Sequence, residues 1–186
     1  MQDSVRRCLL FAIAAAVAAA GCGGEFKVGR PWDAAAEASV FDDGIDLVDD
    51  PAKLSDQWAF RARDDMRARA SLADLVAVVT VSSVQTAKDV DGAEVRRIDA
   101  RIDDILYGRA PDKTLALLSP ASSLGHALIV RHEGRITGSF VVFLRWFDLP
   151  DGATGHHFHL SPSSPAVITT VREVVAARVQ QEAAAE

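Results

Sequence analysis

The residues of this chain with chemistry to offer are gathered in a few short stretches. In "GHHFHL", Gly155–Leu160, two imidazoles stand two positions apart at His157 and His159. On a β-strand that spacing puts both rings on one face, with His156, Phe158 and Leu160 on the other. Two imidazoles on a common face can share a divalent metal ion, provided further ligands complete the shell. Candidates for those ligands are Asp148 or Asp151 across the adjoining turn, and His126 and His132 upstream. A surface strand with solvated histidines is the simpler expectation, because spacing fixes only two ligands and no cofactor is implied. A second stretch, "DDGIDLVDD" from Asp42 to Asp50, invites a calcium reading. An EF-hand loop needs a bidentate Glu at its twelfth position; counting from Asp42 or Asp43 reaches Lys53 or Leu54 instead. The third feature is Cys22, one of two cysteines, placed at the end of "FAIAAAVAAAGCGG".

Other catalytic signatures are missing from the sequence. It contains no Gly-x-Ser-x-Gly turn, His-Glu-x-x-His helix, phosphate-binding glycine loop or dinucleotide fingerprint. Asp103 and Asp104 are adjacent, so on a strand their carboxylates point to opposite faces. No catalytic residue is assigned, and a non-enzymatic protein is expected.

The opening combines Arg6 and Arg7, an uncharged run from Cys8 to Ala20, and small residues before Cys22. That is the layout of an export signal. A bilayer-spanning helix takes roughly twenty apolar residues, and this run is shorter. Ala19-Ala20-Gly21-Cys22 resembles the lipobox of bacterial lipoproteins, with Ala19 where that family usually has leucine. The resemblance implies cleavage before Cys22 and a diacylglyceryl group on its sulfur. With Cys8 removed, Cys22 is left without a disulfide partner, and a thioether-linked lipid would cap it. Two or three acyl chains give stable anchoring where one is marginal. Gly23, in place of the Asp common in proteins retained at the inner membrane, points the resemblance to the periplasmic face of the outer membrane.

These features divide the chain into a signal peptide over 1–21, an acidic tether over 22–50, and a single domain over 51–186. Loss of Arg6, Arg7 and Asp3 moves the formal charge from −6 to −7. An acidic balance argues against nucleic acid, whose binding draws on clustered cations. The expected partners are therefore the membrane, through the lipid on Cys22, and an envelope protein.

In the domain, "DPAKLSDQWAFRARDDMRARASL" predicts a helix over about 52–70, with Leu54, Trp58, Met66 and Ala70 along its apolar stripe. "LVAVVTVSSV" suits a strand buried on both faces, and Asp91-Gly92 marks a hairpin. Ile98, Ala100 and Ile102 alternate with charged residues, and Asp103-Asp104 shifts the phase as a bulge would, so that Ile105 and Tyr107 continue the apolar face. Three or four further strands follow: "KTLALLS", "GSFVVFLRWF" and "GHHFHLS", with "HALIVRH" as the candidate fourth. "SPSSPAVITTVREVVAARVQQ" predicts a helix over about 165–180, capped by Ser164, with a stripe of valines.

The expected fold is mainly β with flanking helices: a small five- or six-stranded OB-like barrel packed by a C-terminal helix. The succession "ADLVAVVTV", "IDARIDDILYGRAPDKTLALLS", "GSFVVFLRW", over about 72–161, is similar to bacterial secreted domains of the netrin and tissue-inhibitor-of-metalloproteinase type, which are OB-like barrels. Those inhibitors direct a free N-terminal cysteine amine at zinc within a disulfide-locked head. An acylated Cys22 and the lack of a cysteine pair leave that mechanism without its parts. The expected function is a non-enzymatic, membrane-anchored binding or assembly module. The alternatives are a metal-binding envelope protein using His157 and His159, and an enzyme or inhibitor with an unrecognised site.

Overall fold

A computed structural model describes residues 28–89 and 91–185. The export segment and Cys22 lie outside the described residues. Ten elements follow in order: α1 (Ala34–Glu37), β1 (Gly44–Ile45), α2 (Asp56–Leu72), β2 (Leu75–Lys88), β3 (Glu94–Gly108), β4 (Thr114–Pro120), α3 (His126–His132), β5 (Gly138–Asp148), β6 (Thr154–Pro162) and α4 (Pro165–Ala185). The strands form one mixed sheet in the order β1-β6-β5-β2-β3-β4, curled into a half-barrel with α4 as the C-terminal helix. Among the described residues only the β1–β6 pair is parallel.

The sheet carries apolar side chains on both faces because its central strands do. In β2, Leu75, Ala77, Val79 and Val81 enter the inner core, together with Phe140, Val142, Leu144 and Trp146 of β5 and Phe158 and Leu160 of β6. Ile129 of α3 and the nearby Ile136 join this core. On the outer face Val76, Val141 and Phe143 meet Met66 and Ala70 of α2 and Val167, Val171 and Val175 of α4. The α4 start is capped, with the Val167 N–H donating to Ser164 Oγ at 3.3 Å, and the valine stripe recurs at helical spacing. Each buried valine contributes on the order of 1.5 kcal/mol, so α4 belongs to the fold.

Four expectations are corrected. "HALIVRH" is helix α3, not a strand: it leaves a Gly-terminated turn and buries only Ile129. The stripe of α2 is Ala59, Met66, Arg69 and Ala70, while Trp58 is 54% exposed. Asp103 does sit at a register shift between Val78 and Val79, but a further shift between Val76 and Ala77 turns Tyr107 to the outer face, where the Arg178 guanidinium lies 3.9 Å from its ring centroid. Finally, the acidic segment is not a solvated tether over its described part: Phe41, Asp43 and Ile45 are buried, and Gly44–Ile45 form a strand.

That strand runs against the turn before α3. The Gly125 N–H donates to the Asp42 carbonyl at 2.8 Å, and a Cβ on Gly125 would stand 2.2 Å from the Gly44 Cα. Two glycines are required there because a Cβ on either would meet the backbone of the other, at 2.7 Å from Gly44 and 2.2 Å from Gly125. Gly125→Ala should therefore lower stability by about 1–3 kcal/mol. Gly134→Ala, with nothing within 4 Å of the added carbon, should cost no steric energy. Thermal unfolding of both variants tests this, and equal melting temperatures would refute the close crossing.

Candidate functional site

The outward face of β6 presents His157, His159 and Ser161, and β1 lays an acidic strap beside it. Register Gly44↔His159 and Ile45↔Leu160, extended by Asp43 N–H to Phe158 O and Asp46 N–H to Leu160 O, both 2.9 Å, fixes which carboxylate meets which ring. His157 Nδ1 lies 2.7 Å from Asp43 Oδ2. The other Asp43 oxygen accepts from the Phe158 N–H at 3.1 Å. His159 sits between two acids, its Nδ1 2.7 Å from Asp42 Oδ1 and its Nε2 3.3 Å from Asp46 Oδ2. Ser161 Oγ donates to Asp46 Oδ2 at 2.6 Å. Arg69 of α2 completes the cluster, 3.4 Å from Asp46, with its Nε–H on the Val40 carbonyl at 3.2 Å.

A carboxylate can only accept, so the proton of the neutral His157 ring is on Nδ1 and Nε2 is left as an acceptor. Both nitrogens of His159 face carboxylate oxygens, leaving neither free for a metal. Asp43 adopts φ +50°, the only positive φ of a residue other than glycine among the described residues. Asp tolerates that region better than most, yet holding it there costs free energy that the surrounding bonds must supply.

The three acids answer burial differently. For Asp42 and Asp46 burial opposes the charge, but the His159 hydrogen bond and charge, with Arg69, outweigh it and hold both carboxyls below their ordinary value. For Asp43 burial prevails over its His157 bond and raises the carboxyl. Burial likewise lowers the Arg69 guanidinium, against the pull of Asp46 and Asp42. Asp43 and His157 thus form a pair anchored at one end by buried backbone contacts.

The His157 ring is flanked by Phe147, stacked with centroids 5.0 Å apart, and by Trp32 at 4.2 Å. Beside it opens a pocket of ≈170 Å³ between Trp32, Phe41 and the 120–124 turn. Asp42, Asp43 and Ser122 also line it.

The sequence placed His157 and His159 correctly on one strand face, but their partners are elsewhere than expected. Asp148 accepts from the Val28 N–H and Asp151 from its own turn at Ala153. His126 bonds the Ser119 carbonyl and His132 ends α3. No group of three or more His, Cys, Asp or Glu among the described residues is arranged to hold a metal ion. The residues that reasoning from sequence missed are Asp42, Asp43, Asp46 and Arg69. The available signal was the interleaving of Phe41, Gly44 and Ile45 with those acids. Comparison of the chain with protein-family models, curated proteins and solved structures finds no match.

His156, on the inner face, has the opposite chemistry. It stands edge-on to Trp146 at 5.4 Å, bonds the Ala116 backbone, and is pushed down to about 4 by burial and then by neighbouring His157. Its Nε2 is buried without a partner. A proton must therefore be withheld in the folded state that the unfolded state takes up near pH 6.5. The sign follows from linkage: between those values the unfolded chain binds more protons, so stability falls as pH falls. A shift of this size is about 3 kcal/mol. Denaturant unfolding from pH 7 to 4 should show that loss, and His156→Leu should remove most of it. An unchanged pH profile in the variant would overturn the assignment.

Proposed function

We propose that this protein is an exported lipoprotein, anchored in the bacterial envelope through a lipid on Cys22, whose half-barrel serves as a non-enzymatic binding or assembly module. The observation that carries the reading is the position of Cys22, between the export-type stretch and the first packed residues of the domain. The Val28 N–H donates to Asp148 Oδ1 at 3.3 Å, the Asp148 N–H to the Arg30 carbonyl at 2.8 Å, and Arg30 pairs with Asp74. Five residues lie between Cys22 and Val28, a reach of at most roughly 20 Å. A lipid on Cys22 would hold the domain close to the bilayer, on the periplasmic face of the outer membrane.

The finer reading of the fold is an OB-like barrel, a five-stranded and partly open architecture. Two features support it. Strands β2 to β6 make a five-stranded unit, and His156 of β6 reaches across to the backbone of β4 at Ala116, drawing the edges of the half-barrel together. The solvent-open pocket beside His157 supports a binding role.

Mass spectrometry of the protein recovered from its native membrane should show loss of residues 1–21 and an added diacylglyceryl group. Cys22→Ser should move the protein from the membrane to the soluble fraction. A mature chain with an unmodified Cys22 thiol would defeat the reading.

A further inference from the structure

We propose that the pocket beside Asp43 and His157 binds a primary ammonium group on a short aliphatic stem. The proposal rests on the reading of the half-barrel as a binding module and names its ligand chemistry. Its first support is the balance of donors and acceptors. With Nδ1–H committed to Asp43, His157 Nε2 is an acceptor. Asp42 commits Oδ1 to His159, and its side chain, 20% exposed, also lines the pocket. Ser122 is exposed in the same wall, and the neighbouring Ser123 hydroxyl spends its proton on the Pro120 carbonyl at 2.7 Å. No Lys or Arg lines the pocket. Such a wall calls for a ligand that donates several hydrogen bonds and brings positive charge, and an ammonium offers three donors.

Charge points the same way. Asp42, Asp43 and Asp46 converge at this end of β6, and the guanidinium that faces them is that of Arg69. The low Asp42 carboxyl keeps its negative charge present at neutral pH. The remaining walls, Trp32, Phe41 and Leu124, are apolar. They suit a methylene stem, and the Trp32 ring adds a face that attracts a cation. A volume of ≈170 Å³ admits a ligand of roughly five to eight heavy atoms and excludes a folded partner.

The test is an NMR titration of the isotope-labelled protein with n-butylammonium at constant ionic strength, following the His157 ring and the Trp32 indole N–H. Saturable shifts confined to these groups and the 120–124 turn are expected, weakened at least tenfold in Asp42→Asn. Because that substitution also loosens the His159 contact, two further probes on the unaltered protein decide independently. Tetramethylammonium keeps the charge without an N–H, and methyl glucoside offers hydroxyls without charge; neither should saturate. Equal saturation by either probe, or shifts from n-butylammonium scattered over the surface, would overturn the proposal. Lipidation of Cys22 is read by mass, so failure of the pocket and failure of the anchored module are distinguishable.

Discussion

The short parallel pairing of β1 with β6 is the contact on which the arrangement of this end of the molecule depends. Two residues of ladder are little on their own, since a strand that short orders its backbone at about 1–2 kcal/mol per residue. What holds Gly44–Ile45 in register is the set of bonds around it: Asp43 to His157 and the Phe158 N–H, Asp42 and Asp46 to His159, and Gly125 to the Asp42 carbonyl. Slipping the strap by one residue would point the acids away from the imidazoles and leave charge buried without a partner. That penalty exceeds the worth of any one pair. The cluster therefore acts through register more than through net stabilisation.

The same cluster joins three layers. Arg69 comes from α2 on the outer face, the acids from the strap, and the imidazoles from β6. A second charged network, Arg145 with Glu37 and Asp74 and Arg30 with Asp74, ties the chain before the strap to β5. Arg145 and Glu37 are nearly buried, where breaking one partner is costly. Between them these networks close the N-terminal segment over the edge of the sheet. A half-barrel whose edge would otherwise stand open is thereby covered.

Much of the architecture was legible because it rests on short periodicities. Along Ser139–Phe147 the two-residue period puts Phe140, Val142, Leu144 and Trp146 on one face and Val141, Phe143 and Phe147 on the other, and the structure divides them in the same way. The valine spacing of Pro165–Ala185 and its Ser164 cap were equally local. The phase shift at Asp103 was visible, but where Tyr107 would point depended on a later register shift set by β2. "HALIVRH" misled because its short apolar run, Ala127–Val130, fits a strand or a helix, and the neighbouring core, through Ile129, decided. The strap was illegible for a different reason. Eight acids with few cations read as a solvated charge run, and only contacts more than a hundred residues distant supply the imidazoles that partner Asp42, Asp43 and Asp46.

The histidines show how much of a side chain's chemistry is set by which face of a strand it occupies. His156, His157 and His159 lie within four consecutive positions and differ in no intrinsic property. The two-residue period sends His156 inward, where aromatic and aliphatic neighbours disfavour a charge and hold its proton affinity low. It sends the other two outward to carboxylates. There the partner's position separates them again. Asp42 and Asp46 occupy both nitrogens of His159, which makes it a fixed element of the packing. Asp43 occupies one nitrogen of His157 and leaves the other beside an open pocket. Of the three rings, His157 is the one held at a single nitrogen while it lines a solvent-open pocket.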